Sequence, residues 1–189
     1  ERRFIMTFPN ETLPKGRKQK TTSLYDRFVS MGAVMGDSFG LESVLWFAKN
    51  KEDAHEEPTI KRSRSHEYVS KEVKNVRENV GVIEVANFSK HEFQGPDARK
   101  FLNYVLAGRI PKPGRICLNP MLTAKGKLYG DLTVACLNDN RFIVFGSGAV
   151  QEMHRRWFES HLKNFDVIYK NKSDDFHGLA LSGPKSRDL

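Results

Sequence analysis

The hydrophobic pattern is clearest between Arg115 and Ser147, where polar turn clusters separate three apolar runs. The runs read RICLNPMLT, LYGDLTVACL and RFIVFGS, and the clusters read AKGK and NDN. Short runs of β-branched and aromatic residues between Gly, Asn and Asp are typical of consecutive antiparallel strands. The pattern therefore predicts a three-stranded β-meander as the centre of the fold.

The middle run of the meander contains an acid at an unusual position. Because side chains alternate between the faces of a strand, Tyr129, Asp131 and Thr133 are predicted to share one face, opposite Gly130 and Leu132. Asp is depleted in strands, and a buried carboxylate is costly unless it is paired. The pattern alone favours a solvated acid and a functional carboxylate equally. We expect Tyr129, Asp131 and Thr133 to line one open cavity wall.

Helical patterns surround the meander. Val69, Val73, Val76 and Val80 recur at spacings of four, three and four, which predicts a helix that Gly81 caps. A second helix is predicted from Gly95-Pro96-Asp97 to Gly108, and a third after Gly146. The positions predicted to face inward on these two helices are Ala98, Phe101, Leu102, Val105, Met153, Trp157, Phe158 and Leu162.

The other segments have simpler patterns. Residues 23–31 predict a short helix, and the Gly- and aromatic-rich residues 32–48 predict an ordered, packed extension. Residues 49–65 are charged and predict a mobile linker. Residues 82–93 predict two short strands, and residues 176–182 predict another.

A weak internal repeat links two parts of the chain. Residues 93–101 and 181–189 each read as a strand, a Gly-Pro pair, an Arg and a helix start. The second copy stops within one helical turn, which leaves backbone groups without partners. We therefore expect the chain to be part of a longer protein.

Composition narrows the function only slightly. The chain has 189 residues, 39% of them hydrophobic, and a formal charge of +8. Basic clusters at 15–20 and 61–64 lack the interleaved aromatic residues of a single-strand binding platform, so solvated loops are favoured over nucleic-acid binding. Cys117 and Cys136 are expected to be buried free thiols without zinc, as in a reducing compartment. No apolar run is long enough to span a membrane.

One motif suggests a different function. A strand followed by Gly146-Ser147-Gly148 and a helix, with Asp166 further on, partly matches a dinucleotide-binding fingerprint. Gln151 stands where the third glycine belongs, and no βαβ unit precedes it. A tight glycine turn is therefore the favoured interpretation.

Several motifs in order resemble one family. The run NPMLTAKGKLYGDLTV resembles the strand pair ML-x-x-x-G-x-x-x-x-D-L-x-V of the glycine-cleavage T-protein (aminomethyltransferase) family. The runs TTSLYDRFVSMGAVMGDSFGLESVLWFA and VGVIEVANFSKHEFQGPDARKFL are similar to the branch of dimethylglycine and sarcosine dehydrogenases. GSGAVQEMHRRWFESHL and LALSGPKSRDL match the spacing of that branch. The resemblance covers residues 21–189.

The resemblance implies a fold and a site. It implies an α+β fragment, an antiparallel or mixed sheet with flanking helices, forming the first half of a T-protein-like folate-binding domain. Asp131 matches the family's catalytic aspartate, whose carboxylate accepts a proton, orients the pterin or stabilises positive charge. Phe88 takes the place of an apolar residue that packs on the pterin, and Leu118, Thr133 and Ser147 take further folate-binding positions.

The resemblance also implies partners. Full members carry FAD in a preceding flavin domain, oxidise an N-methylglycine to an iminium and capture its carbon on tetrahydrofolate as methylenetetrahydrofolate. Residues 1–58 are predicted to be the extension and linker after that domain, and 59–189 part of the folate domain. No flavin-binding motif lies in this chain. The resemblance implies a cytoplasmic protein, or one of the mitochondrial matrix in a eukaryote.

Departures from the family keep alternatives open. Ser147 replaces Asn, Leu118 replaces Tyr, and Gly130 replaces the first of two paired acids. Further folate ligands of the family lie beyond Leu189, so we expect this chain alone to bind folate weakly or not at all and to be inactive. The alternatives are a stand-alone folate-dependent aminomethyl- or methyltransferase and a non-catalytic regulatory relative. The intact Asp131 argues against the non-catalytic relative.

Overall fold

The computed structural model describes Met6, Phe8, Glu11 and residues 15–189, which fall into two compact units. One unit comprises residues 1–85 with 177–189, and the other comprises residues 86–176. The helices in this part of the chain are α1 (Tyr25–Ser30), α2 (Ser65–Glu78), α3 (Ala98–Val105) and α4 (Gln151–His161). The strands are β1 (Ala33–Ser38), β2 (Leu41–Phe47), β3 (Gly81–Glu84), β4 (Phe88–Gln94), β5 (Ile116–Leu122), β6 (Leu128–Asn138), β7 (Arg141–Ser147), β8 (Ile168–Asn171) and β9 (Leu179–Ser182).

The predicted meander forms the middle of the 86–176 unit. Its strands β5, β6 and β7 pair in sequence, and the sheet continues through β4 to β8 in the order β5-β6-β7-β4-β8. Every pairing in this five-stranded sheet is antiparallel. This result confirms the meander predicted from the alternation of apolar runs and turns, and the α+β class that the family resemblance implied.

Helices α3 and α4 supply the core that covers one face of this sheet. All four positions predicted to face inward on α3 are buried, because they form one stripe of the helical period. On α4, Phe158 is buried, Trp157 packs at the edge of the core, and Met153 is only half-buried. Leu162 also packs at the edge of the core, just beyond the end of the helix. The aromatic centre of the core consists of Phe93, Phe101, Phe142 and Phe158.

The 1–85 and 177–189 unit is built on a hairpin. Strands β1 and β2 pair antiparallel, so the predicted packed extension at 32–48 is confirmed. The buried Trp46 of β2 stacks on Tyr68 of α2, with ring centroids 4.9 Å apart. Within the predicted linker, Glu56 accepts a hydrogen bond of 2.7 Å from the Trp46 indole.

Glycines mark two places where the chain approaches itself closely. Gly95 and Gly183, the matched glycines of the weak repeat, have φ angles of 147° and 122°. A Cβ on either would collide with a backbone carbonyl oxygen, that of Asp166 or of Asn79. The second copy ends in a turn, and its strand β9 pairs with β3. The repeat therefore encodes the same strand–glycine–turn corner twice.

The prediction that Gly81 caps α2 is wrong. The helix ends at Glu78, and Gly81 is already the first residue of β3. A Cβ on Gly81 would collide with the side chain of Val76. Glycine is therefore needed at this position because the strand passes close to the helix, a contact that local periodicity does not reveal.

Candidate functional site

The five predicted site residues share the face of the large sheet that α3 and α4 do not cover. In one row across the strands, Leu118 of β5 pairs with Thr133 of β6, which pairs with Phe145 of β7. In the next row, Phe88 of β4 pairs with Ser147 of β7. We call this surface the open face, and the register brings the predicted positions into two neighbouring rows.

Asp131 lies in the second of these rows, that of Phe88 and Ser147. It pairs with Pro120 of β5, and extending the β6–β7 register by two residues on each strand puts it level with Ser147. Neighbouring strands lie about 4.8 Å apart, so the row from β5 to β4 spans roughly 14 Å. The sheet thus presents Asp131, Ser147 and Phe88 side by side across three strands.

The Asp131 carboxylate is exposed and available to a ligand. Among the described residues, no group forms a hydrogen bond or an ion pair with it. Neighbouring acids behave differently, since Asp139 is paired with Arg99 at 3.0 Å and Glu92 with Arg141 at 2.8 Å. Asp131 therefore contributes no ion pair to the stability of the described fold, which is compatible with both a solvated acid and a functional carboxylate.

Apolar side chains of β5 and β4 are also exposed on this sheet. Leu118 is 68% exposed, Ile116 62% and Phe88 48%, although all three lie in strands of the main sheet. Ile116 and Leu118 lie two residues apart on β5, whereas Phe88 lies on β4, beyond β6 and β7. The open face therefore presents exposed apolar side chains and, among the described residues, an unpaired carboxylate on one surface of the sheet.

The ammonium group of a buried lysine lies beside Phe88. Lys90 of β4 is only 4% exposed, and its Nζ donates hydrogen bonds to the carbonyl oxygens of Phe88 at 2.8 Å and Ala86 at 3.2 Å. The Lys90 main-chain N–H donates to the Ser173 hydroxyl at 2.9 Å. These bonds fix the conformation of residues 86–90, which include Phe88, and connect them to Ser173.

The prediction that Tyr129 shares the face of Asp131 is wrong. Met121 pairs with Gly130, but Leu122 pairs with Leu128, so a bulge occurs at Tyr129. The bulge turns the Tyr129 side chain to the covered face, where its ring lies 4.4 Å from that of Trp157. Strict alternation cannot anticipate a bulge, because the extra residue shifts one side chain out of phase.

Beneath the sheet, the covered face contains a polar cluster that the sequence did not indicate. His91 Nδ1 and the Tyr169 hydroxyl share a hydrogen bond of 2.8 Å, and His91 Nε2 lies 3.1 Å from the Ser89 hydroxyl. Burial, with a smaller contribution from His154, lowers the pKa of His91 to about 4. Burial also raises the pKa of the Tyr169 hydroxyl. Both groups are therefore neutral at pH 7.

A second histidine, His154 of α4, also went unnoticed in the sequence. It is 1% exposed, and burial lowers its pKa, an effect that a main-chain interaction with Tyr129 partly opposes. Among the described residues, neither ring nitrogen has a partner in full hydrogen-bond geometry. The available signal was helical spacing, since residues 154, 157, 158 and 161 form one stripe of α4.

The space next to the glycines at the end of β7 is occupied by other parts of the chain. A Cβ on Gly146 would lie 2.8 Å from the Leu132 side chain, and one on Gly148 would collide with the Asn87 carbonyl oxygen. The glycines therefore allow close packing of the chain on itself, which is the interpretation favoured over a dinucleotide site.

The basic clusters are partly neutralised by neighbouring acids. Arg17 makes a two-point contact with the buried carboxylate of Glu42, at 3.0 and 2.5 Å. Arg64 pairs with Asp53 at 2.8 Å. These contacts reduce the positive charge that the two clusters present to a polyanion.

Other classes of site receive no support from the described residues. Cys117 and Cys136 are free thiols as predicted, but only Cys136 is buried, and Cys117 is partly exposed. In the part of the chain that the structure describes, His, Cys, Asp and Glu side chains form no group of three suited to a metal ion. None of the helices there has the length and apolarity needed to cross a membrane.

Comparison with known proteins links the chain to two kinds of enzyme. It is 33% identical to human mitochondrial dimethylglycine dehydrogenase over 98% of its length, and 28% identical to an aminomethyltransferase of Staphylococcus carnosus over 89%. The chain spans only 22% of the first relative and 42% of the second.

The fold has a counterpart among solved structures. The crystal structure of glycine cleavage system aminomethyltransferase T from Bartonella henselae matches 89% of this chain with a TM-score of 0.70 and 20% identity. The match covers 42% of that protein. The mixture of helices and antiparallel sheets described above is therefore that of the aminomethyltransferase T-protein fold. A family model described as the GCVT N-terminal domain matches residues 24–189, and the chain belongs to this family.

Proposed function

We propose that this chain is the tetrahydrofolate-binding portion of a flavin-dependent dehydrogenase of N-methylglycines, such as dimethylglycine or sarcosine. The observation that carries the proposal is the open face, on which Asp131, Ser147 and Phe88 lie in one row beside Leu118 and Thr133. Tetrahydrofolate would supply a nucleophilic nitrogen that captures the one-carbon unit of the N-methylglycine-derived iminium, giving methylenetetrahydrofolate.

The residues of the open face have distinct roles in this proposal. Phe88 and Leu118 offer apolar surface for packing against the pterin ring, a contact driven by the loss of exposed apolar area. Thr133 and Ser147 provide hydroxyl groups that donate and accept hydrogen bonds. The Asp131 carboxylate accepts a proton or stabilises positive charge that develops near it.

Sequence similarity supports the dehydrogenase branch over a stand-alone transferase. The match to dimethylglycine dehydrogenase extends over 98% of the chain, whereas the match to aminomethyltransferases covers 89–90%. FAD would be bound by the flavin domain of such a protein and not by this chain. By the same analogy, we propose a location in the cytoplasm, or in the mitochondrial matrix of a eukaryote.

A direct assay tests the proposal. The full-length protein is supplied with dimethylglycine or sarcosine and an artificial electron acceptor, with and without tetrahydrofolate. We expect substrate oxidation in both cases, with release of free formaldehyde suppressed when tetrahydrofolate is present. Equal formaldehyde release under both conditions would contradict the folate role.

The second candidate is a folate-dependent aminomethyltransferase, favoured by the 28% identity to the Staphylococcus carnosus enzyme. The same purified protein distinguishes the two candidates. A transferase would show no flavin absorption and would not oxidise N-methylglycines, yet it would still bind folate.

A further inference from the structure

A slot for the imidazole of His154 lies directly beneath the candidate site. Gly130 and Gly146 occupy neighbouring strands, and each precedes a residue of the open face, Asp131 or Ser147. A Cβ on Gly130 would lie 2.8 Å from His154 Nε2, and a Cβ on Gly146 would lie 3.0 Å from His154 Nδ1. The imidazole therefore leaves no room for a side chain at Gly130 and very little at Gly146.

Backbone conformation does not explain these glycines. Neither Gly130 nor Gly146 is among the residues with positive φ, so an alanine could adopt either conformation. At Gly130, a Cβ would also lie 3.1 Å from the terminal methyl group of Met121, and at Gly146 it would lie 2.8 Å from Leu132. Space for the side chains beneath is thus the reason for glycine at both positions.

The imidazole has little freedom to move away. His154 is 1% exposed, and its ring centroid lies 6.3 Å from that of His91 and 6.5 Å from that of Tyr129. Trp157, one turn further along α4, stacks on Tyr129 at 4.4 Å. Helix α4 thus contacts the bulge of β6 at two points, immediately before Asp131.

We propose that His154 is a positioning residue of the folate site, which fills the Gly130–Gly146 slot and so fixes the backbone that carries Asp131 and Ser147. The inference rests on the proposed function of the open face. His154 acts through the shape of its ring and contacts no ligand.

Stability measurements test the slot without any ligand. In the full-length protein, Gly130→Ala is expected to lower the melting temperature, and the loss is expected to shrink in a His154→Ala background, where the added methyl group has room. Strictly additive losses would overturn the slot, because residues that share no space do not couple.

Binding measurements test the positioning role, with 5-formyltetrahydrofolate as a non-reacting probe in calorimetry. We expect His154→Ala to weaken binding by about tenfold or more, as small displacements of a site can do. His154→Phe, which keeps a ring in the slot, is expected to retain near wild-type affinity. A loss with Phe as large as the loss with Ala would overturn the role proposed for ring shape.

Phe158→Leu provides the matched control, because Phe158 is a fully buried ring on the same helix whose closest ring contacts are Phe93 and His91. We expect lower stability with unchanged folate affinity. Equal weakening of binding by Phe158→Leu and His154→Ala would reduce His154 to an ordinary core residue and overturn the proposal.

Hydrogen exchange separates failure of this inference from failure of the proposed function. If the wild-type protein binds no folate, the proposed function fails on its own. Faster exchange in peptides covering residues 128–134 and 142–148 in His154→Ala, but not in Phe158→Leu, would still establish that His154 holds these strands. Equal exchange in both variants would overturn that claim.

Discussion

The two faces of the five-stranded sheet differ in how far their side chains are buried and paired. On the covered face, rings from β4, β7, α3 and α4 interlock, and Phe93, Phe101 and Phe142 are fully buried. On the open face, Leu118 and Phe88 remain largely exposed, and Asp131 has no partner among the described residues. The covered face therefore accounts for stability, whereas the open face has the features of a binding surface.

The largest expected effect tests whether the open face binds and processes a ligand. Asp131→Asn removes the charge and the proton acceptor but keeps the shape, so we expect folate-dependent one-carbon transfer to fall about 10²–10⁴-fold. The free energy of unfolding should change by less than about 0.5 kcal/mol, because the carboxylate has no partner to lose. Asp139→Asn, a change at another exposed acid, should leave transfer intact. Comparable loss in both variants would remove Asp131 from the mechanism.

The second prediction tests whether the covered face contributes more to stability than the open face. Phe93→Ala deletes a fully buried ring and should lower the free energy of unfolding by about 3–5 kcal/mol. Leu118→Ala, on the open face, should lower it by no more than about 0.5 kcal/mol. Chemical denaturation of the two variants measures both values. Similar losses would mean that the open face is packed in the folded protein.

The third prediction concerns pH. Folding lowers the pKa of His91 from 6.5 to about 4, so the unfolded chain binds a proton in that range that the folded chain excludes. The free energy of unfolding therefore falls as the pH drops from 6.5 to 4, by about 3 kcal/mol in total from this group. Lowering of the His154 pKa acts in the same direction.

Melting temperatures measured between pH 7 and pH 4.5 check this expectation. His91→Gln cannot take up the proton and should make the pH dependence shallower. An unchanged slope in this variant would show that His91 is not the group responsible for acid sensitivity.

The smallest expected effect concerns Ser147, which is exposed at the end of β7. Ser147→Asn restores the residue typical of the T-protein and adds a second donor beside Asp131. One additional hydrogen bond of about 1 kcal/mol would tighten folate binding roughly fivefold. Calorimetry with 5-formyltetrahydrofolate measures the change, and unchanged binding would show that Ser147 does not face the ligand.

The covered face was largely predictable from the sequence because it follows simple periods. All four inward positions of α3 were identified, since burial of one helical stripe leaves a regular apolar pattern. Tyr129 was misplaced because a bulge shifts the phase of β6 at that residue. His154 was missed because a buried histidine on a charged helix looks like a surface residue.

The candidate site was predictable only in part. Alternation placed Asp131 and Thr133 on one face. The alignment of Phe88 with Ser147, however, depends on the pairing of β4 with β7, and these two residues are 59 positions apart in the chain. Local patterns do not specify such long-range register. The resemblance to a family supplied the candidates, and the sheet order explains how they come together.

The most direct test of the central claim is calorimetric titration of the full-length protein with 5-formyltetrahydrofolate, comparing Leu118→Glu with Val73→Glu. Both residues are exposed apolar side chains, on the open face and on α2 respectively. We predict saturable binding by the wild-type protein, unchanged binding by Val73→Glu, and at least tenfold weaker binding by Leu118→Glu. Wild-type affinity in Leu118→Glu would contradict the claim that the open face binds folate.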